Sequence, residues 1–406
     1  MELRWSVVEE AVRRARAEGD EPLCAYLYDL PALAAHAREL RRSLPSPFGL
    51  FYAAKANAEL SLLQTLTGVV DGFEASSQGE LEWLRSNFAS TPLILSGPGK
   101  TDAELATACR LGVELLHVES LGELRRLALI ASSLGRRVSV LLRLNFPLGP
   151  GHETSLVMGG RPTPFGIELE QLPAVMDFLG GQESIQVKGL HFHLLSHQLD
   201  ADRHLSLLEA YLRRFTELRA HYRADWSHLN VGGGIGINYR APEAQFDLAR
   251  FSEGLGRLAG RFEEAGVSAR FELGRYVTAP CGYYAVEVLD LKRCFGETFV
   301  VCRGGTHHFR TPQAQGHSHP FRVVPVDAWR YPFARPAVEG VRVNVVGQLC
   351  TPKDVLAREA PVERVRVGDV LLFPYAGAYA WNISHQHFLM HPPRRQLFLR
   401  SEEAPC

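Results

Sequence analysis

Between Tyr26 and Arg275, short apolar runs alternate with amphipathic helical segments, and the alternation repeats eight times. The strand-like runs are Phe48–Ala54, Gly72–Ser76, Pro92–Ser96, Glu114–Glu119, Val138–Asn145, Gln186–Leu194, His228–Gly232 and Ala269–Glu272. Most are rich in Val, Leu, Ile or Phe, which predicts strands buried on both faces. Helical patterns lie between them, as at Pro31–Leu44, Gly79–Asn87 and His204–Tyr222. Ser77-x-x-Glu80, Thr101-x-x-Glu104 and Ser120-x-x-Glu123 predict capping boxes, and Asp29 ahead of Pro31 predicts another helix start. Eight βα units within about 250 residues predict a (β/α)₈ barrel. An open doubly wound sheet is the alternative.

After Arg275 the texture changes. Runs such as Tyr283–Leu291, Thr298–Cys302, Val341–Val346 and Val370–Phe373 are separated by Gly and Pro turns, which predicts an antiparallel β domain. The strand-like Pro22–Tyr28 is expected to join it. The fold expected is therefore α/β, a barrel over 28–275 with a β-rich domain from 1–27 and 276–406. A chain of 406 residues is long enough for two such cores.

Charge narrows the partners. Lys+Arg (44) and Asp+Glu (45) nearly cancel, which argues against nucleic acid. Met1–Pro22 reads as a charged amphipathic helix rather than a signal peptide. No run approaches the ~20 apolar residues of a membrane span. Seven scattered cysteines without a C-x-x-C suit a reducing cytoplasm.

A barrel of this kind carries its chemistry at the C-terminal ends of its strands. There the sequence puts Lys55 after the first strand, His193 and Ser196 after the sixth, Gly232, Gly233 and Gly234 after the seventh, and Glu272 with Arg275 after the eighth. Alone, Lys55 reads as a snorkelling strand-end lysine or as an amine whose pKa desolvation lowers toward nucleophilicity. Alone, the glycines read as a flexible turn or as a loop whose backbone N–H groups approach an anion. Gly99-Lys100-Thr101 is no P-loop, because the required first glycine falls on Ile94. Together, a nucleophilic lysine, a phosphate cradle and a carboxylate at one mouth point to pyridoxal 5'-phosphate: an amine to bond it, a loop for its phosphate, and an acid to keep its ring nitrogen protonated.

The ordered set Tyr52-Ala-Ala-Lys-Ala-Asn57, Glu74-Ala-Ser-Ser77, Gly189-Leu-His-Phe-His193, Asn230-Val-Gly-Gly-Gly234, Glu272-Leu-Gly-Arg275, Gly347-Gln-Leu-Cys350 with Asp354, and Gly377-Ala-Tyr379 resembles the fold-type III pyridoxal-phosphate decarboxylases, which include diaminopimelate and ornithine decarboxylases. The resemblance spans nearly the whole chain and implies an alanine-racemase-like barrel. It implies Lys55 as the Schiff-base lysine, His193 stacked on the ring, and Ser196, Gly232, Gly233, Gly234, Gly274, Arg275 and Tyr379 around the cofactor, Arg275 also being a possible substrate-carboxylate contact. It further implies Glu272 at the pyridine nitrogen, and Cys350 as a proton donor crossing a dimer interface. A homodimer with shared active sites follows from the last.

Departures from the pattern bear on substrate. Leu273 replaces the family's usual proline. Where ornithine and diaminopimelate decarboxylases carry an acid after the cysteine, this chain has Thr351. Gly304-Gly-Thr-His-His-Phe-Arg310, Met158-Gly-Gly-Arg161 and Phe165-Gly-Ile167 look most like the decarboxylases of siderophore pathways, whose substrate can be a citrate–diamino-acid conjugate, as in staphyloferrin B assembly. His307, His308, Arg310, Thr351 and Asp354 are the expected substrate contacts. The H-x-H pairs His191/His193, His317/His319 and His385/His387 have no carboxylate or cysteine spaced with them in sequence, so no metal is expected. Glu272 argues against a racemase, which would place an arginine at the ring nitrogen. Retention of Lys55 and Cys350 argues against a non-catalytic binding protein.

Overall fold

The computed structural model describes residues 3–19, 21–148 and 156–400. Eight strands close into a parallel barrel: β1 (Phe48–Ala53), β2 (Gly72–Ala75), β3 (Leu93–Leu95), β4 (Leu115–Val118), β5 (Val138–Asn145), β6 (Ile185–His191), β7 (His228–Gly232) and β8 (Ser268–Leu273). Each pairs in parallel with the next, and β8 returns to β1 with Phe271 opposite Leu50 and Glu272 opposite Phe51. All eight runs expected from sequence are barrel strands. The closure of β8 onto β1 and the β4–β5 pairing leave no open edge, so the doubly wound alternative is excluded.

The helix starts form locally, with one instructive difference. Asp29 accepts from Ala32 N at 3.0 Å. Thr101 and Glu104 make the reciprocal box. Ser77 and Ser120 also cap their helices, accepting from Glu80 N and Glu123 N. Neither glutamate reaches its cap's own N–H; Glu80 accepts from Ser76 N, one residue earlier, at 2.7 Å. Glu123 instead ion-pairs at 2.8 Å with Lys100, whose side chain is buried and also donates to two carbonyls. A buried ammonium without a carboxylate costs far more than an unreciprocated cap.

A second, eight-stranded sheet is built from Cys24–Asp29, Gly282–Cys294, Glu297–Cys302, Arg322–Val324, Ala337–Val346, Val355–Arg366, Val370–Phe373 and Arg395–Leu399. The N-terminal strand does join it, pairing Cys24 with Val286. The Gly/Pro-punctuated pattern predicts an antiparallel sheet; the sheet is mixed. Cys24–Asp29 runs parallel to Arg395–Leu399, and Glu297–Cys302 parallel to Ala337–Val346. Those partners are remote in sequence, and strand direction between remote segments is set by the connections, not by local pattern. The N-terminal helix is Trp5–Ala17, which buries Val8 and Val12 against Leu23, Leu27 and Tyr283 of this sheet. No helix among the described residues is long and apolar enough to cross a membrane.

Candidate active site

A cavity of about 410 Å³ opens at the C-terminal mouth of the barrel. Lys55, His193, Ser196, Gly233, Gly234, Glu272, Gly274, Arg275 and Tyr379 line it, and all nine were expected from sequence. Ser76, Ser96, Arg143, Met158, Phe165 and His191 are among the other residues of the wall.

Lys55 follows β1 in a single turn of 3₁₀ helix, Ala54–Ala56. Its Nζ lies 2.8 and 2.9 Å from the carboxylate oxygens of Glu74, at the end of neighbouring β2, and 3.3 Å from Ser76 Oγ. Burial alone would lower this amine's pKa, as expected for a strand-end lysine. The outcome is the reverse: the charges of Glu74, Tyr379 and Glu272 together outweigh burial and push it above its ordinary value. Glu74 is fully buried and also accepts from Ser76 and Ser96. Before a cofactor bonds it, Lys55 is therefore a stored ammonium rather than a free amine.

Glu272 ends β8. Burial, then the negative charge of Glu74, raises its carboxyl to about 8. It accepts from Asn230 Nδ2 at 2.8 Å. Two buried imidazoles approach it: His117 Nε2 at 3.7 Å and His191 Nε2 at 4.0 Å. Burial drives both histidines well below their ordinary range, and neither ring nitrogen of His191 has a hydrogen-bond partner among the described residues. The barrel thus supplies the His191 ring with a carboxylate that spacing along the chain did not reveal, the three ligand atoms lying within 4.8 Å of one another. His117 sits in β4, within an ordinary apolar strand pattern, so no sequence signal marked it.

The glycine loop is shaped by what it touches. Gly232 and Gly234 take φ of +68° and +98°, a region that favours glycine. A Cβ on Gly232 would collide with His193, and one on Gly233 with the Glu272 backbone. Gly232 does not line the cavity; its N–H is taken by Asn230 Oδ1 at 2.8 Å. Gly233, Gly234 and Ser196 do face the cavity, beside Arg275, whose guanidinium lies 4.4 Å from the Tyr379 ring centre. His193 presents a neutral ring. Burial, then the charges of Arg143 and Lys55, lowers it to about 3. Arg143 was missed in sequence, where it reads as one polar residue within β5. It pairs with Glu119 at 2.8 Å and packs on Phe165.

The residues present suit pyridoxal phosphate. An amine, a buried acid of raised pKa, a neutral ring face, and a loop too tight for side chains beside an arginine converge on one cavity. The buried acid Glu272 matches a protonated ring nitrogen, because the charge of a cation beside it offsets the desolvation that raises it.

The expected substrate contacts stand elsewhere. Cys350 is exposed and lies outside the cavity wall. Arg310 is exposed at the start of the helix Thr311–Gln315, its N–H bonded to Ser384 Oγ at 3.0 Å. Thr311 at the next position donates to the Tyr379 carbonyl. His307 is buried with neither ring nitrogen hydrogen-bonded among the described residues, and His308 Nδ1 meets Cys24 Sγ at 3.2 Å. Asp354 turns inward: it accepts from Thr306 N, Thr306 Oγ1 and Leu349 N. It ties the loop carrying His307 and Arg310 to the loop carrying Cys350 and Thr351. His317 and His319 bond each other at 2.8 Å.

Comparison with known proteins agrees with this geometry. Residues 30–279 match the family model described as pyridoxal-dependent decarboxylase, pyridoxal binding domain. The chain is 39% identical over 393 residues to the 2-[(L-alanin-3-ylcarbamoyl)methyl]-2-hydroxybutanedioate decarboxylase of Staphylococcus aureus, covering 97% of this chain and 98% of the relative. It is 30% identical over 388 residues to the L-glutamyl-[BtrI acyl-carrier protein] decarboxylase of Niallia circulans, covering 93% and 88%. Diaminopimelate decarboxylase from M. jannaschii superposes with a TM-score of 0.85 at 21% identity, over 96% of this chain and 90% of that one, a likeness of fold.

Proposed function

This chain belongs to the pyridoxal-dependent decarboxylases, and on that footing we propose that it removes the α-carboxylate from a carboxylate-bearing amino-acid conjugate of the citryl-diaminopropionate kind, in siderophore assembly. The observation that carries the reading is the end-to-end likeness to a decarboxylase whose named substrate is such a conjugate. Thr351 supports it. A substrate with a free cationic tail would lose hydration beside a residue that offers no countercharge.

When bound, pyridoxal phosphate supplies a ring that accepts the electron pair released as carbon dioxide departs. Lys55, whose amine faces the cavity, would hold the cofactor covalently. Glu272 holds a proton at the ring nitrogen, with Asn230 orienting its carboxylate at 2.8 Å. His193 would lie against the cofactor from the cavity wall. Ser196, Gly233, Gly234, Gly274, Arg275 and Tyr379 hold the phosphate end, and Gly232 fixes the loop against His193 and Asn230. Arg310, His307 and His308 share the loop that Asp354 anchors and would meet the substrate from outside the cavity wall. Cys350, from a second copy of this chain, returns a proton to the α-carbon. The six described cysteines are all free, which suits the cytoplasm.

Two experiments test this. In a side-by-side assay of carbon dioxide release, the citryl conjugate is turned over far better than lysine, ornithine or meso-diaminopimelate. Efficient use of ornithine or diaminopimelate with none of the conjugate would overturn the substrate. Lys55→Ala and Cys350→Ala proteins, each nearly inactive, regain activity when their subunits are mixed, because a hybrid dimer holds one site with both residues intact. No recovery after demonstrated subunit exchange would put both residues in one chain's site.

A further inference from the structure

The interior of a barrel is filled in layers, each drawn from alternate strands and usually apolar. Phe51, Ile94 and Leu141, from the odd-numbered strands β1, β3 and β5, keep to this rule and pack with Leu115 as an apolar cluster. The even-numbered strands break it at their C-terminal ends. Glu74 of β2, His117 of β4, His191 of β6 and Glu272 of β8 make one wholly polar, buried layer. The charges around this layer are unevenly matched. Lys55 pairs with Glu74, Lys100 with Glu123 and Arg143 with Glu119. Glu272 has no Lys or Arg ion-pair partner among the described residues. Its neighbours are imidazoles, His117 Nε2 at 3.7 Å from one oxygen and His191 Nε2 at 4.0 Å from the other, both too far for a hydrogen bond. The two rings lie with their centres 4.2 Å apart. His191 is 2% exposed, and neither of its ring nitrogens is hydrogen-bonded among the described residues. A polar group so deeply buried calls for a partner.

We propose that, in the cofactor-free enzyme, His117, His191 and Glu272 bind a zinc ion, which competes with the cofactor for Glu272. Two imidazoles and one carboxylate are a donor set that zinc accepts with water in the fourth position, whereas magnesium prefers oxygen alone. Ligand atoms about 2.0–2.2 Å from a tetrahedral zinc stand roughly 3.3–3.5 Å from one another. The three here already lie within 4.8 Å of one another, so side-chain shifts of about 1 Å bring them onto one ion. His191 and Glu272 line the cavity, which gives the ion its way in and the water its place. The H-x-H spacing of His191 and His193 did not foretell this set, because its other members come from β4 and β8. The competition rests on the role given to Glu272 above; the zinc site itself does not depend on the substrate.

The test uses the full-length protein, loaded with cofactor or stripped of it, titrated calorimetrically with zinc chloride. The stripped protein takes up one zinc ion per chain more than the loaded protein, a difference from which any surface site cancels. Cofactor loading, followed by absorbance, slows about tenfold at a zinc concentration about ten times its Kd. A chelator restores the rate, and magnesium chloride leaves it unchanged. His117→Leu and His191→Leu each weaken the extra zinc by on the order of a hundredfold or more. Cobalt chloride needs no variant: it gives the stripped parent visible d–d bands that adding cofactor abolishes. Equal zinc uptake by stripped and loaded protein overturns the site. So do folded His117→Leu and His191→Leu proteins that bind the extra zinc as the parent does, and so does a stripped parent in which cobalt gives no cofactor-sensitive bands. Turnover of the citryl conjugate by the loaded enzyme, without added metal, tests the function separately.

Discussion

Lys55→Ala abolishes turnover, by on the order of a thousandfold or more, equivalent to about 4 kcal/mol of barrier. The purified variant loses the yellow colour of the parent. The reason is chemical: no other lysine lines the cavity, so nothing else can hold the cofactor covalently. Borohydride treatment of the parent fixes the pyridoxyl label on Lys55 alone. A reducible covalent adduct at another lysine in the variant would remove Lys55 from its assigned role. The ion pair with Glu74 adds a pH dependence. Lys55 is raised above its ordinary value, so between pH 7 and 9 it stays mostly protonated, and its neutral fraction grows about tenfold per pH unit. Loading of cofactor-free enzyme therefore accelerates with rising pH across that range. A rate that is flat, or falls, would mean that the ammonium is not what the cofactor meets.

Glu272→Gln keeps the fold and cuts kcat by about 10²–10³, the loss of roughly 3–4 kcal/mol typical of removing one preorganised electrostatic contact. The substituted amide preserves shape and can still bond Asn230, yet it carries no charge with which to hold a proton on the ring nitrogen. Because burial and Glu74 raise the Glu272 carboxyl to about 8, cofactor-free enzyme holds much of it protonated near neutrality. A cationic ring nitrogen restores its ionised form. In the parent, cofactor binding at pH 7 is thus accompanied by proton release from this carboxyl, which the Gln variant lacks. A change in turnover below about tenfold, or 1.4 kcal/mol, would move Glu272 away from the ring nitrogen.

Much of the candidate site was legible because of where barrel strands end. Lys55, His193, Gly233, Glu272 and Arg275 come from four separate strands, and each follows an apolar run that announces its strand. The Gly-Gly-Gly run was readable as a loop needing no side chains, though the packing of His193 and Glu272 against it was not. Cys350, Thr351, His307 and Arg310 were legible as a pattern and not as a place. They lie on irregular loops of the second sheet, tied together by Asp354 across 48 positions of sequence, and no periodicity fixes where such loops point.

The amino-acid sequence by itself determined the eight strands, their order and the end of the barrel at which the polar residues gather. Those features follow from local hydrophobic pattern and from the single way parallel βα units close on themselves. Only the tertiary structure decided the charge states and the company these residues keep. Lys55 is an ammonium because Glu74 arrives from the neighbouring strand, Glu123 leaves its cap because Lys100 is buried beside it, and His117 and His191 converge on Glu272 from across the barrel. Arg275, His197 and His317 likewise surround Tyr239 from three separate segments. Electrostatic energy depends on distance and on lost hydration, and neither quantity exists until residues far apart in the chain are packed together.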